Sequence, residues 1–98
     1  MSISSKLPFF LVNPAAGNGS TGTGWPKIAA YLKEKIGDFE TCLTSCPLDA
    51  KKQAALALEK GARKLICVGG DGTLNEVING IMAYNEALAR DVTIGFIP

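Results

Sequence analysis

Hydrophobic residues fall into four short, nearly unbroken runs, separated by longer and more polar stretches. The runs are LPFFLVN at 7–13, FETCLT at 39–44, KLICV at 64–68 and VTIGFI at 92–97. Short apolar runs bounded by turn residues are typical of strands buried in a sheet. The intervening stretches 25–36, 50–60 and 73–84 have the apolar spacing, or the Ala-, Leu- and Lys-rich composition, of helices.

The alternation of strands and helices predicts an α/β fold of three layers, αβα, around a mainly parallel sheet. A chain of 98 residues suffices for one domain but not for two. The glycine-rich stretch 14–24 is predicted to be a loop, and Pro26 suits the first position of the helix that follows and ends at Gly37. The fourth strand is predicted to be buried. Because no helix follows it, the α/β unit is expected to be truncated there.

The composition and net charge of the chain argue against several classes of function. The chain is 47% hydrophobic and its net charge is +1, which suits a globular domain and argues against a nucleic-acid partner. No apolar run has the length of a membrane span, so a cytoplasmic protein with at most peripheral membrane contact is expected. The three cysteines have no histidine beside them, which argues against a zinc site and suits a reducing compartment.

The loop after the third run, Gly69-Gly70-Asp71-Gly72-Thr73, is the first candidate site. Ligands of parallel sheets bind at the carboxyl ends of the strands. Glycines let the backbone approach a bulky anion, and the following helix directs its first N–H groups toward phosphate. A carboxylate at Asp71 repels phosphate, but it would hold a magnesium ion or accept a nucleotide hydroxyl. The loop therefore predicts a nucleotide site rather than a plain capped turn.

Residues at the start of the third helix have two interpretations. Thr73 and Glu76 have the spacing of a capping box, with Thr73 at the N-cap. Alternatively, Thr73 faces the ligand as well, and the amide of Asn75 reaches either the ligand or solvent. Both interpretations stay open.

The second candidate loop, Asn13–Gly17, follows the first strand and is expected to contact a ligand. The stretch Gly17–Gly22 matches the dinucleotide fingerprint G-x-G-x-x-G, but its context is wrong. The predicted helix starts too late, and the acids Asp38 and Glu40 begin the second strand instead of ending it. Stretch 20–24 is expected to be a flexible surface loop or part of the site.

These motifs resemble one known family. Asn13-Pro14-Ala15-Ala16-Gly17 resembles the opening motif of the diacylglycerol kinase catalytic family, and residues 69–77 resemble its central signature. Thr44, followed by Asp49-Ala50, is similar to the end of the family's second strand and the start of its next helix. The family usually has glycine where Leu48 stands. Residues 92–98 resemble the strand that precedes a Gly-Thr-x-Asn-Asp segment.

The resemblance implies a two-domain lipid kinase that uses ATP and magnesium. Residues 1–98 would be its N-terminal ATP-binding domain, similar to phosphofructokinase and NAD kinase. A second, mainly β domain would hold the lipid at the membrane surface and supply the general base. The ATP contacts implied are Asn13, Pro14, Ala15, Ala16, Gly17, Thr44, Gly70, Asp71, Gly72, Thr73, Leu74, Asn75 and Glu76, with Asp71 as the candidate magnesium ligand. NAD kinase and a nucleotide-sensing domain without transfer activity are the alternatives, and a homodimer is left open.

Overall fold

The computed structural model describes residues 7–98 and contains one four-stranded sheet. The strands are β1 (Phe9–Val12), β2 (Glu40–Leu43), β3 (Lys64–Val68) and β4 (Thr93–Ile97). The helices are α1 (Ser20–Ile36), α2 (Asp49–Glu59) and α3 (Asp71–Tyr84), and a 3-10 turn spans Leu88–Asp91. All strand pairs are parallel, in the order β2-β1-β3-β4. The predicted α/β fold with a parallel sheet is confirmed.

Two hydrophobic clusters lie on opposite faces of the sheet, because successive side chains of a strand point to opposite faces. Leu11, Leu65 and Cys67 pack with apolar residues of α2 and α3. Phe10 and Val12 pack on the other face with Trp25 of α1. All five strand residues are nearly inaccessible to solvent. Helices therefore cover both faces of the sheet, which gives the three predicted layers.

The prediction of α1 was wrong at its beginning. The helix starts at Ser20 rather than at Trp25, so stretch 20–24 is helical and Pro26 lies inside the helix. The loop before it winds directly into the helix, since the N–H groups of Thr21 and Gly22 donate to carbonyls of Ala16 and Pro14. A Cβ on Gly22 would lie 2.8 Å from the Pro14 carbonyl oxygen. This glycine therefore serves close packing rather than loop flexibility.

Of the two interpretations of the start of α3, the capping box is wrong. The helix begins at Asp71, its N-cap is Gly70, and no side chain caps it. The hydroxyl of Thr73 instead accepts a hydrogen bond from another loop, which is described below. A long-range side-chain contact thus takes the place of the local one that the spacing suggested.

The edge strand β4 is more exposed than predicted. Ile94 and Phe96 retain 41% and 37% of their accessible surface, whereas a fully buried strand was expected. Their partners in the register, Leu65 and Cys67, face α2 and α3, so Ile94 and Phe96 point to that same face. No helix within residues 7–98 covers this edge. None of the described helices is long and apolar enough to cross a membrane.

Candidate functional site

The two glycine-rich loops meet at the carboxyl ends of β1 and β3. The backbone N–H of Asn13 donates to the Val68 carbonyl over 2.9 Å, which continues the pairing of the two strands into the loops. The Asn13 side-chain Nδ2 then donates to Oγ1 of Thr73, also over 2.9 Å. One residue therefore connects the first loop to the first turn of α3.

The side-chain amide of Asn13 makes two hydrogen bonds within the protein. Its Oδ1 accepts the backbone N–H of Ala15 at 3.1 Å, which closes a local turn of the Asx type. Its Nδ2 is engaged by Thr73. Asn13 thus positions the two loops relative to each other.

The junction requires glycine at position 69, because the side chains of Asn13 and Thr73 approach this residue closely. A Cβ at this position would lie 3.0 Å from Thr73 Oγ1 and 3.3 Å from the Asn13 Cβ. A larger residue would therefore press against both partners of the hydrogen bond. The glycine that the sequence suggested for phosphate approach is needed here for the packing of the loops themselves.

A cavity of about 430 Å³ lies beside the junction. Both loops and the segment after β2 contribute to its wall. The lining residues are Asn13, Pro14, Ala15, Thr44, Ser45, Cys46, Pro47, Ala50, Thr73 and Glu76. Six of the residues predicted from the sequence (Asn13, Pro14, Ala15, Thr44, Thr73 and Glu76) are thus brought together around one space.

Two threonine hydroxyl groups belong to the cavity wall. Thr44 and Thr73 are 8% and 5% exposed, and Thr73 accepts a hydrogen bond from Asn13. No buried side-chain nitrogen or oxygen atom among residues 7–98 lacks a hydrogen-bond partner. Because both threonines line the cavity, their hydroxyls are placed to donate to a ligand with oxygen or nitrogen acceptors.

Glu76 adds an acceptor to the same wall. Its carboxylate is partly buried and makes no hydrogen bond within the described residues. A cavity with two hydroxyl donors and one carboxylate acceptor suits a ligand that both accepts and donates hydrogen bonds. The sugar and base of a nucleotide have that character.

The other predicted residues do not line the cavity. Gly70, Asp71 and Gly72 are exposed at the start of α3, where the first backbone N–H groups of the helix are open to solvent. Ala16 and Gly17 belong to the winding that leads into α1. Leu74 and Asn75 are further along α3, and neither contributes to the cavity wall.

The described residues contain no group of three or more His, Cys, Asp or Glu side chains that could hold a metal ion. Magnesium is often held by one or two carboxylates, with phosphate oxygens and water completing its shell. Asp71, as a single exposed carboxylate beside the predicted phosphate position, fits that pattern of partial ligation. Its role as a magnesium ligand stays a prediction.

Sequence reasoning missed one wall of the cavity, formed by Ser45, Cys46, Pro47 and Ala50. Asp49 shapes this wall, because its carboxylate accepts the Ser45 backbone N–H at 2.8 Å and Ser45 Oγ at 3.1 Å. The Ser45 N–H bond, followed by the one from Gln53, lowers the pKa of Asp49 below its usual value. The position of this segment in the fold could have indicated its role. It follows β2, the strand next to β1, and therefore lies at the same edge of the sheet as the two loops.

Leu48 stands where the family motif usually has glycine. Its φ of 70° lies in the left-handed region, which favours glycine, and its side chain is 67% exposed. The backbone at this position therefore has a conformation that suits glycine better than leucine.

A larger depression, of about 710 Å³, lies elsewhere and is lined by Met82, Glu86, Ala87, Ala89 and Arg90. These residues end α3 and precede β4, at the amino-terminal edge of the sheet. None of the predicted site residues contributes to it. Ligands of parallel sheets bind at the opposite edge, so the smaller cavity is the candidate site.

The parallel αβα fold and the two joined loops agree with a comparison to known families. Residues 8–98 match the diacylglycerol kinase catalytic domain, and the chain therefore belongs to that family. Human mitochondrial acylglycerol kinase is 34% identical over 94 residues, which are 95% of this chain and 22% of that protein. A diacylglycerol kinase of Staphylococcus saprophyticus is 49% identical over 53 residues, which are 54% of this chain and 14% of that protein.

A solved structure shows the same relationship. The crystal structure of a diacylglycerol kinase from Bacillus anthracis str. Sterne superimposes with a TM-score of 0.75 at 29% identity. The superposition covers 95% of this chain and 32% of that one. The human acylglycerol kinase and the Bacillus anthracis structure each match 95% of this chain. The chain nevertheless spans less than a third of the length of either protein.

Proposed function

We propose that this chain is the ATP-binding domain of a lipid kinase, which transfers the γ-phosphate of ATP to a hydroxyl group of diacylglycerol or a related lipid. The observation that carries the proposal is the junction of Asn13 and Thr73. It brings the two loops that resemble the family's signatures to one cavity, which is lined by the hydroxyl-bearing residues Thr44 and Thr73.

The polar groups suggest where the nucleoside and the phosphates of ATP would each bind. The cavity, with the hydroxyls of Thr44 and Thr73 and the carboxylate of Glu76, would hold the nucleoside part. A free carboxylate disfavours a polyphosphate inside the same space. The phosphates would then lie over the exposed start of α3, where backbone N–H groups favour an anion and Asp71 would contribute to a magnesium site.

In the transfer step, the lipid hydroxyl oxygen forms a bond to the γ-phosphorus, and the bond from that phosphorus to the bridging oxygen breaks. ADP leaves, and the hydroxyl proton passes to a general base. No residue in this chain is proposed as that base. It would belong to a lipid-binding domain in further polypeptide, which would also dock on the membrane and present the lipid.

Because such a reaction depends on positioning and on metal electrostatics, the 98-residue chain alone should bind ATP weakly or not at all and transfer no phosphate. Incubation of the chain with ATP, magnesium and diacylglycerol micelles tests this. Measurable formation of phosphatidic acid by the chain alone would contradict the proposed division of labour between two domains.

The substrate class is tested by competition in a polypeptide that carries both domains. Radiolabelled ATP is offered with diacylglycerol or sphingosine in mixed micelles, together with soluble NAD. The proposal expects label in the organic phase and none in NADP. Label in NADP alone would favour NAD kinase, whereas ATP binding without label in either product would favour a nucleotide sensor.

A further inference from the structure

The segment between β2 and α2 forms one wall of the candidate cavity but has little packing of its own. Residues 45–48 are all exposed to solvent, and Ser45, Cys46 and Pro47 line the cavity. Segments with few buried apolar contacts are held less firmly than the core of a domain. The position of this wall therefore depends mainly on hydrogen bonds.

Those hydrogen bonds converge on Asp49, the first residue of α2. Its Oδ2 accepts the backbone N–H of Ser45 over 2.8 Å and the hydroxyl of Ser45 over 3.1 Å. Its own backbone N–H donates to the Cys46 carbonyl over 3.1 Å. Asp49 thus holds the segment through both its side chain and its backbone.

The Asp49 carboxylate is itself fixed on the helix. The side chain of Gln53, one turn further along α2, donates to Asp49 Oδ1 over 3.2 Å, so both carboxylate oxygens accept hydrogen bonds. The next residue, Ala50, is 2% exposed and belongs to the core on one face of the sheet. Because the start of α2 is anchored in this way, the carboxylate transfers a fixed position to residues 45–47.

We infer that Asp49 is a positioning residue for nucleotide binding, which holds residues 45–47 where they contact the nucleoside part of the ligand. Asp49 does not line the cavity, so it acts through the wall and not by touching the nucleotide. The identity of the ligand rests on the proposed function, whereas the hydrogen bonds of the wall do not. Since the phosphates would lie over the start of α3, loss of Asp49 should weaken ATP binding and leave phosphoryl transfer nearly unchanged.

Steady-state kinetics of a polypeptide that carries both domains test this inference. Asp49→Ala removes both bonds from Ser45, so the KM for ATP should rise about tenfold, while kcat changes by less than about twofold and the KM for the lipid stays the same. Asp49→Asn keeps an oxygen that accepts the Ser45 N–H and should raise the KM for ATP no more than about threefold. An unchanged KM for ATP in Asp49→Ala, or an equal rise in both variants, would overturn the inference.

A variant that loses stability elsewhere is the control. Ile81→Val removes one carbon atom from the core and does not touch the cavity wall. It should lower the melting temperature, because a buried side chain becomes smaller, and should leave the KM for ATP unchanged. A rise in this KM as large as that in Asp49→Ala would assign the effect to lost stability, and the inference would be wrong.

Amide hydrogen exchange of the 98-residue chain tests the wall without a variant and without ATP. The Ser45 amide belongs to an exposed residue but donates to Asp49, so its exchange should be slowed at least about tenfold relative to its intrinsic rate. The Cys46 amide donates to no acceptor among residues 7–98 and is the internal reference. Equal protection of the two amides would show that Asp49 does not hold the wall.

The failure of this inference is distinguishable from failure of the proposed function. An active lipid kinase whose KM for ATP ignores Asp49→Ala would retain the proposed function and overturn the inference alone. If the polypeptide binds ATP but transfers no phosphate, the proposed function fails, and the Kd for ATP replaces KM in the comparison of the variants. If it binds no nucleotide, both proposals are wrong.

Discussion

The side chain of Asn13 donates to the hydroxyl of Thr73 across 60 residues of sequence, and the two residues follow different strands. The bond is 2.9 Å long and joins the first glycine-rich loop to the start of α3. Each loop by itself predicts a phosphate or nucleotide contact. The hydrogen bond between Asn13 and Thr73 joins the two loops beside one cavity, and it orients the Thr73 hydroxyl, which accepts from Asn13.

Replacement of Asn13 by alanine should loosen this junction. The change removes the donor to Thr73 and the acceptor for the Ala15 N–H, so we expect the free energy of unfolding to fall by about 1–3 kcal/mol. Urea denaturation followed by circular dichroism measures the loss. Asn79→Ala on the exposed side of α3 is the matched control and should change stability by no more than about 0.5 kcal/mol. Equal effects of the two substitutions would show that the junction contributes nothing.

Asp71 is predicted to act in function rather than in folding. Its carboxylate is exposed at the first turn of α3 and makes no hydrogen bond among residues 7–98, so Asp71→Ala should cost about 1 kcal/mol or less in stability. In a polypeptide carrying both domains, loss of the predicted metal or nucleotide contact should lower turnover on the order of a hundredfold or more.

Thermal melting and turnover test the two parts separately. Asp91→Ala is a suitable control, because Asp91 is also exposed but lies near the opposite edge of the sheet, just before β4. Normal turnover of the Asp71 variant would remove this residue from the site.

The sequence predicted the elements that depend on local chemistry. The β3 run, with its apolar and β-branched residues, was placed at Lys64–Val68, as observed, and Gly37 ends α1 as expected. The start of α1 was missed because glycine indicates a loop by propensity, whereas Gly22 serves close contact with Pro14. The Asn13–Thr73 bond and the wall at Cys46 depend on how distant segments meet, which a single sequence does not specify.

Leu48 carries backbone strain that glycine would relieve. A left-handed conformation costs a non-glycine residue about 1–2 kcal/mol, and the greater entropy of glycine in the unfolded chain offsets part of that. Leu48→Gly should therefore stabilise the domain by about 0.5–1 kcal/mol in urea denaturation. Asn18→Gly is the matched control, since Asn18 has a φ of 57° but asparagine tolerates this region. Destabilisation by Leu48→Gly would mean that the exposed leucine side chain makes a compensating contribution.

Gly80 sets the distance between α2 and α3. A Cβ at this position would lie 2.3 Å from the Lys51 carbonyl oxygen and 3.1 Å from the Ala54 Cβ, so the helices would have to separate. Gly80→Ala should destabilise the domain by about 1–3 kcal/mol, although alanine is the better helix former. Gly24→Ala in α1 meets no atom within 4 Å and should stabilise by up to about 1 kcal/mol. Chemical denaturation of both variants tests this, because the free energy of unfolding should fall in Gly80→Ala and rise in Gly24→Ala.

Asp49 should make stability depend on pH in acid. Hydrogen bonds from the Ser45 backbone N–H and from Gln53 favour the ionised carboxylate in the folded state and lower its pKa from 3.8. A group whose folded pKa is lowered contributes stability that is present above its unfolded pKa and is lost as pH falls through the folded value. The melting temperature of Asp49→Asn should therefore lie below that of the unchanged chain at neutral pH. The gap should narrow below about pH 4, as Asp49 becomes protonated.

Ser45→Ala separates the causes of this effect. It removes the bond from Ser45 Oγ but keeps the backbone N–H bond, which contributes most to the lowered pKa of Asp49. The pH dependence of its melting temperature should therefore stay close to that of the unchanged chain, because the ionised carboxylate keeps its main donor. A gap between the unchanged chain and Asp49→Asn that stayed constant from about pH 7 to about pH 2 would mean that Asp49 acts on stability without its charge.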